Sequence, residues 1–138
     1  MSIVAPPGFR HWPNDPAEDH IGPFFYRIDA PGRVATRCEI QARHCNAYGG
    51  VHGGVLMTFA DYTLCLAAID DERDAVVTVS AHCDFVDGMR VGDTLAGEGE
   101  LVRAGGSLRF VRATLRAGDR VVMVASGVIK RLPPSTGT

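Results

Sequence analysis

A chain of 138 residues, 46% of them hydrophobic, is long enough for one domain that buries roughly two-thirds of the surface its unfolded form exposes. Fourteen basic against sixteen acidic residues leave a formal charge of −2, enough for solubility but without the global positive field that attracts nucleic acid. The four cysteines form no C-x-x-C pair, and the opening MSIVAPPGFRHW lacks the basic region and long apolar core of a signal peptide, so a reduced, cytoplasmic setting is expected.

Residues 1–20 hold PP, WPNDP and AEDH and read as an irregular N-terminal arm, with Trp12 pinning it to the body. A single domain is expected over 21–132 and a flexible tail over 133–138. FFYRI is a short strand or an irregular lead-in, bounded by Pro23 and by Pro31 with Gly32. RVATRCEI is rich in β-formers and reads as a strand. ARHCNAYGG is a connection, and a helix should begin at Gly53 or Gly54 and run to about Asp70, about 25 Å at 1.5 Å per residue. Helical spacing puts Leu56, Phe59, Ala60, Thr63 and Ala67 on one side and Met57, Asp61, Leu64 and Ala68 on another. Neither side is convincingly polar, so the helix is enclosed by a sheet or shared between a sheet and a partner. Its apolar run, VLMTFADYTLCLAAI, is shorter than the roughly twenty residues that span a bilayer. After the acidic DDERD turn, AVVTVSAHCDFV alternates apolar Val77, Val79, Ala81, Cys83 and Phe85 with Thr78, Ser80, His82 and Asp84, the period of a strand. TLAGEGELVRA, SLRFVRATLRA and RVVMVASGVIKRL follow, separated by short turns; Gly97 and Gly99 mark bending or close backbone approach. This order gives an α+β fold with an antiparallel sheet.

Asp61 is the informative residue. An unpaired ionised carboxylate in apolar surroundings is costly, so Asp61 either accepts hydrogen bonds from a loop or partner chain, or serves as a base or nucleophile. The preceding HGG starts a helix whose first N–H groups lack helical partners and can hold an oxyanion; the missing Cβ atoms of Gly53 and Gly54 let a substrate approach. Asp61 lies about 11 Å of helix rise further on, so the two features should combine across a two-fold interface. His52 reads as a hydrogen-bonded loop residue or a cap rather than an acid–base catalyst. No G-x-S-x-G accompanies it, Cys45 has no visible activator, and the histidines at 11, 20, 44, 52 and 82 show no metal-ligand spacing. Arg103, Arg109, Arg112, Arg116 and Arg120 concentrate in the C-terminal half, as a solvated sheet face or as a docking surface for an anionic group.

Asn46, His52, Gly53, Gly54 and Asp61, read as N-x-x-G-x-x-H-G-G-x-x-x-x-x-x-D, resemble the hotdog-fold acyl-coenzyme A thioesterases, specifically the PaaI-like branch of the phenylacetate pathway. The likeness runs from His20 to Leu132. It implies a long central helix wrapped by a curved antiparallel sheet, a homodimer joined sheet to sheet and commonly a homotetramer, with no cofactor because coenzyme A is part of the substrate. It further implies Asp61 as the catalytic carboxylate, Gly53 as the N–H donor to the thioester carbonyl, Asn46 as an orienting side chain, His52 in support, and Thr78 as a hydroxyl near the carboxylate. For the coenzyme A phosphates it suggests Arg103, Arg109, or Lys130 with Arg131, beside Gly54. Gly88 stands where relatives usually carry proline, and Ser80, Ala81 and His82 depart from the usual pocket residues, so the acyl chain is unreadable. A noncatalytic acyl-coenzyme A-binding protein and a hotdog dehydratase are the rival readings.

Overall fold

One long, almost wholly apolar run and a period of two in the later segments separate the chain into one long helix and one sheet. The structure, a computed structural model, describes residues 2–133, so the predicted tail lies, beyond Pro133, outside the described residues. In chain order the elements are α1 (Pro16–Ile21), β1 (Phe25–Ala30), β2 (Arg33–Glu39), a 3-10 turn (Ala42–His44), α2 (Gly53–Ala67), β3 (Val76–Phe85), β4 (Thr94–Gly105), β5 (Leu108–Ala117) and β6 (Arg120–Arg131). The strands pair antiparallel throughout, in the order β1-β2-β4-β5-β6-β3. FFYRI therefore contributes a strand, and β3 lies at the opposite edge of the sheet from it.

α2 packs its buried face, including Leu56, Phe59, Thr63 and Ala67, against the sheet. Glycine makes the close approach possible. A Cβ on Gly97 would run into Thr36 Oγ1, and one on Gly99 would stand 2.9 Å from Val34 Cγ1 and 3.0 Å from the Thr63 carbonyl. The bending or close approach expected of these glycines is thus the seat of the helix. Thr63 donates to the Phe59 carbonyl at 2.9 Å and its Oγ1 lies 2.7 Å from Thr36 Oγ1, so the polar atoms in this contact are paired. Phe24 packs edge-on to Phe59, with ring centroids 5.1 Å apart, and closes the far side. α2 stops at Ala67, short of the predicted Asp70, because the Asp70 and Asp71 N–H groups donate to the Asp74 carboxylate instead of to helical carbonyls.

The N-terminal arm is more ordered than its turn-rich composition suggests. Arg10 and Tyr26 exchange backbone hydrogen bonds at 2.7 and 2.9 Å, and Trp12 packs on Tyr26 with centroids 5.7 Å apart. Asp15 caps α1 by accepting from Glu18 N–H at 3.1 Å, with proline in the first turn. At its other end, the Arg43 guanidinium donates to the carbonyls of His20, Ile21 and Gly22, and buried His44 lies 2.7 Å from the Ile21 carbonyl. The 3-10 turn thereby fixes α1 over α2.

Candidate active site

His52 resolves the start of α2. Its Nδ1 accepts from Gly54 N–H at 2.9 Å, so His52 is the helix cap. This revises the expectation for Gly54, whose N–H is already engaged. The Gly53 N–H, in the first helical position, has no hydrogen-bond partner among the described residues and can donate to a bound group. A Cβ on Gly53 would stand 3.0 Å from the Phe85 ring. Asn46 holds the preceding loop in shape: its Oδ1 accepts from Tyr48 N–H at 2.9 Å and Gly50 N–H at 3.2 Å. That leaves its amide N–H₂ directed by a fixed carbonyl.

Two turns along α2, Asp61 is partly buried and accepts a hydrogen bond from the Thr78 hydroxyl. Strict alternation would turn Thr78 away from the helix, on the face shared by His82 and Asp84. The register shift between Thr78 and Ser80 changes this: Cys83 opposes Ala125, Ala81 opposes Gly127, but Thr78 opposes Ile129, which is fully buried beneath the helix. The extra residue in β3 is a bulge that turns Thr78 inward. Cys65, one turn beyond Asp61, brings its Sγ to 3.4 Å from Thr78 Oγ1 and 3.9 Å from Asp61 Oδ1. Burial, then the Asp61 charge, pushes the Cys65 thiol up to about 12, so it stays protonated and is no nucleophile.

Asp61 borders a cavity of about 400 Å³ that follows α2 past Cys65 and Ile69, between β3 and the arm. The arm contributes Trp12, Asp15 and Glu18, none of them included in the predicted site. Burial, followed by the charge of Asp15, a hydrogen bond with the Asp15 carboxylate and the charge of Asp61, pushes the Glu18 carboxyl up to about 8. Asp15-Pro16 followed by Glu18 is a helix-start signal, and it could have revealed this helix in the sequence.

The arginines divide. Arg109, 6% exposed, points inward and donates to both oxygens of Asp70 at 3.0 and 3.3 Å. Arg131 bridges Asp70 at 2.9 Å and Asp74 at 3.1 Å. Both therefore fasten the turn after α2 to the sheet, which revises their expected role toward coenzyme A phosphates. Arg103 and Lys130 are exposed and form no ion pair among the described residues.

An antiparallel sheet wrapped on one helix, with an HGG start and an aspartate two turns on, is the layout of the hotdog thioesterases. The chain belongs to the Thioesterase superfamily, whose sequence profile matches residues 48–124. A candidate esterase of Pseudomonas aeruginosa is 37% identical over 126 residues, 89% of this chain and 94% of its own length. Acyl-coenzyme A thioesterase 13 of Homo sapiens is 26% identical over 99 residues, 71% of each chain. The PaaI protein from the phenylacetic acid degradation operon of E. coli superposes with a TM-score of 0.80 over 88% of this chain and 87% of its own, at 20% identity, a likeness of fold. No helix among the described residues is long and apolar enough to cross a membrane.

Proposed function

We propose that the chain hydrolyses acyl-coenzyme A thioesters at a site completed by a second copy of itself. The observation that carries this reading is the separation of its two halves: Asp61 and Thr78 meet beside the cavity, while the unpartnered Gly53 N–H lies about 12 Å of helix rise away on the same helix. The edge strand β3 favours the pairing. It exposes Val77, Val79 and Phe85, and Met57 on α2 is 47% exposed on the stripe that leads to Asp61. A partner pairing along β3 would cover these and bring its Asn46 loop and Gly53 toward Asp61.

In the reaction, the Asp61 carboxylate takes a proton from a water whose oxygen attacks the acyl carbon. Thr78 holds the carboxylate in place. Charge gathers on the thioester oxygen, where the Gly53 N–H at a helix N-terminus and the Asn46 amide can meet it. The carbon–sulfur bond then breaks, coenzyme A leaves as thiolate and takes up a proton, and the acyl group departs as carboxylic acid. Arg103 and Lys130 are the cations we assign to the coenzyme A phosphates. The acyl group occupies the cavity beyond Asp61.

Thiol release from acetyl, medium-chain, long-chain, phenylacetyl and hydroxybenzoyl thioesters tests the reading. Wild-type protein should exceed Asp61→Asn and Asp61→Ala by about 10²–10⁴-fold in kcat/KM on its best substrate; equal rates in all three across the panel would overturn it.

A further inference from the structure

Cys65 borders the cavity one turn past Asp61, and its protonated thiol takes no part in the chemistry as a nucleophile. Its surroundings give it other work. The Cys65 Sγ stands 3.4 Å from Thr78 Oγ1 and, at a longer and weaker 3.9 Å, faces Asp61 Oδ1, the same oxygen that accepts from the Thr78 hydroxyl. No donor among the described residues reaches Asp61 Oδ2. The carboxylate is thus divided into an anchored oxygen and an open one.

The direction of the shorter sulfur contact follows from the protons available. A threonine hydroxyl has one proton and two acceptor lone pairs. The Thr78 proton goes to Asp61, so in the 3.4 Å contact the oxygen of Thr78 accepts and the Cys65 thiol donates. Burial, then the Asp61 charge, keeps that donor proton on sulfur at neutral pH. Helix spacing brings the three groups together: residues four apart share a face, so Asp61 and Cys65 both meet β3 where its bulge turns Thr78 inward.

The thiol matters because Thr78 is exposed in the single chain. A hydroxyl without a second partner could turn its proton to water and release the carboxylate. One that accepts from a thiol fixed on a helix has the direction of its O–H bond set, and each hydrogen bond in such a chain polarises the next.

We infer, resting on the thioester-hydrolase reading, that Cys65 is a positioning residue: its thiol donates to Thr78 Oγ1, which commits the Thr78 proton to Asp61 Oδ1 and leaves Oδ2 as the oxygen that takes the proton from the attacking water. No bond to sulfur forms or breaks in this role.

Thiol release on the best substrate of the panel compares wild type with Cys65→Ala, Cys65→Ser, Thr78→Val, the Cys65→Ala and Thr78→Val double variant, and Asp61→Asn, with urea unfolding as the check that each is folded. Cys65→Ala should lower kcat by about three- to tenfold with KM nearly unchanged, and Cys65→Ser, which keeps a donor, should regain most of the loss. In the Thr78→Val background the change to alanine should cost less than about twofold, since the bond it removes is already gone. Infrared spectra read the bond without turnover: the S–H stretch of Cys65, identified by its loss in Cys65→Ser, should rise in frequency in Thr78→Val. A kcat in Cys65→Ala within about twofold of wild type, a Cys65→Ser as slow as Cys65→Ala, or an S–H band unmoved by Thr78→Val overturns the inference. Any of these with Asp61→Asn still inactive leaves the hydrolase reading standing and removes only this one. A wild type that hydrolyses no thioester, or none faster than Asp61→Asn does, removes the hydrolase reading and the positioning role with it, while a band that still moves keeps the hydrogen bond alone.

Discussion

Thr78 shows how much one hydroxyl is asked to do. It gives the Asp61 carboxylate its strongest neighbour, and nothing else in the described chain donates to that carboxylate except the weak, distant Cys65 thiol. Thr78→Ala should therefore lower kcat/KM by about tenfold or more while Thr78→Ser restores most of it, as thiol release will measure. Glu18 gives a second prediction, in stability. Its folded-state value, about 8, stands above the ordinary 4.5, so the folded chain holds this proton longer than the unfolded one does. Stability contributed by Glu18 is intact below about 4.5 and falls as pH rises toward about 8. Burial sets the direction, with Asp15, Asp61 and Asp19 adding to it. Chemical unfolding across that window should show a flatter profile in Glu18→Gln than in the wild type. Asn46, Gly53 and Asp61 stand out as candidates in the sequence because they share one uninterrupted stretch whose glycines and lone carboxylate are chemically conspicuous. Glu18 does not: it reaches the cavity from a segment more than forty residues upstream, through a helix whose cap was read only as turn composition.

At the level of elements, the glycines of β4 carry the packing of the helix. Gly97→Ala and Gly99→Ala should each destabilise the fold by about 1–3 kcal/mol, because the added methyl groups meet Thr36, Val34 and the Thr63 backbone rather than open space; equilibrium unfolding in urea checks this. The cap of α1 supports a smaller effect. Asp15→Ala should cost about 1 kcal/mol and loosen Glu18 from the cavity wall, visible as faster amide exchange across 16–21. Period-two patterns made the strands readable and one long apolar run after the glycines made α2 so, down to the close approach at Gly97 and Gly99. What the pattern could not carry was the phase error introduced by the β3 bulge, which reverses the facing of Thr78 without altering composition. The end of α2 escaped for a related reason, since the Asp74 carboxylate competes for N–H groups from several residues downstream. Likewise the facing of Arg109 depends on register, and only in the folded sheet does it meet Asp70.

For the whole molecule, the exposed apolar side chains of β3 and the split between Gly53 and Asp61 lead to one expectation. Mixed dimers of an Asn46→Ala chain with an Asp61→Ala chain should regain about half of the wild-type activity, since one of the two composite sites keeps both residues. Correctly folded heterodimers with no recovery would place the two halves in the same chain's site. Arg43 and His44 add a mechanical condition to this arrangement. They grip the carbonyl end of α1, and the chain then continues through the Asn46 loop to Gly53. In the proposed pair, one short turn would suspend both the wall of its own chain's cavity and the loop offered to the neighbour. In that pair, a substrate that shifted α1 in one chain would reach the loop serving the other, so the two sites should respond to substrate as a linked couple, with titration curves that depart from those of independent sites.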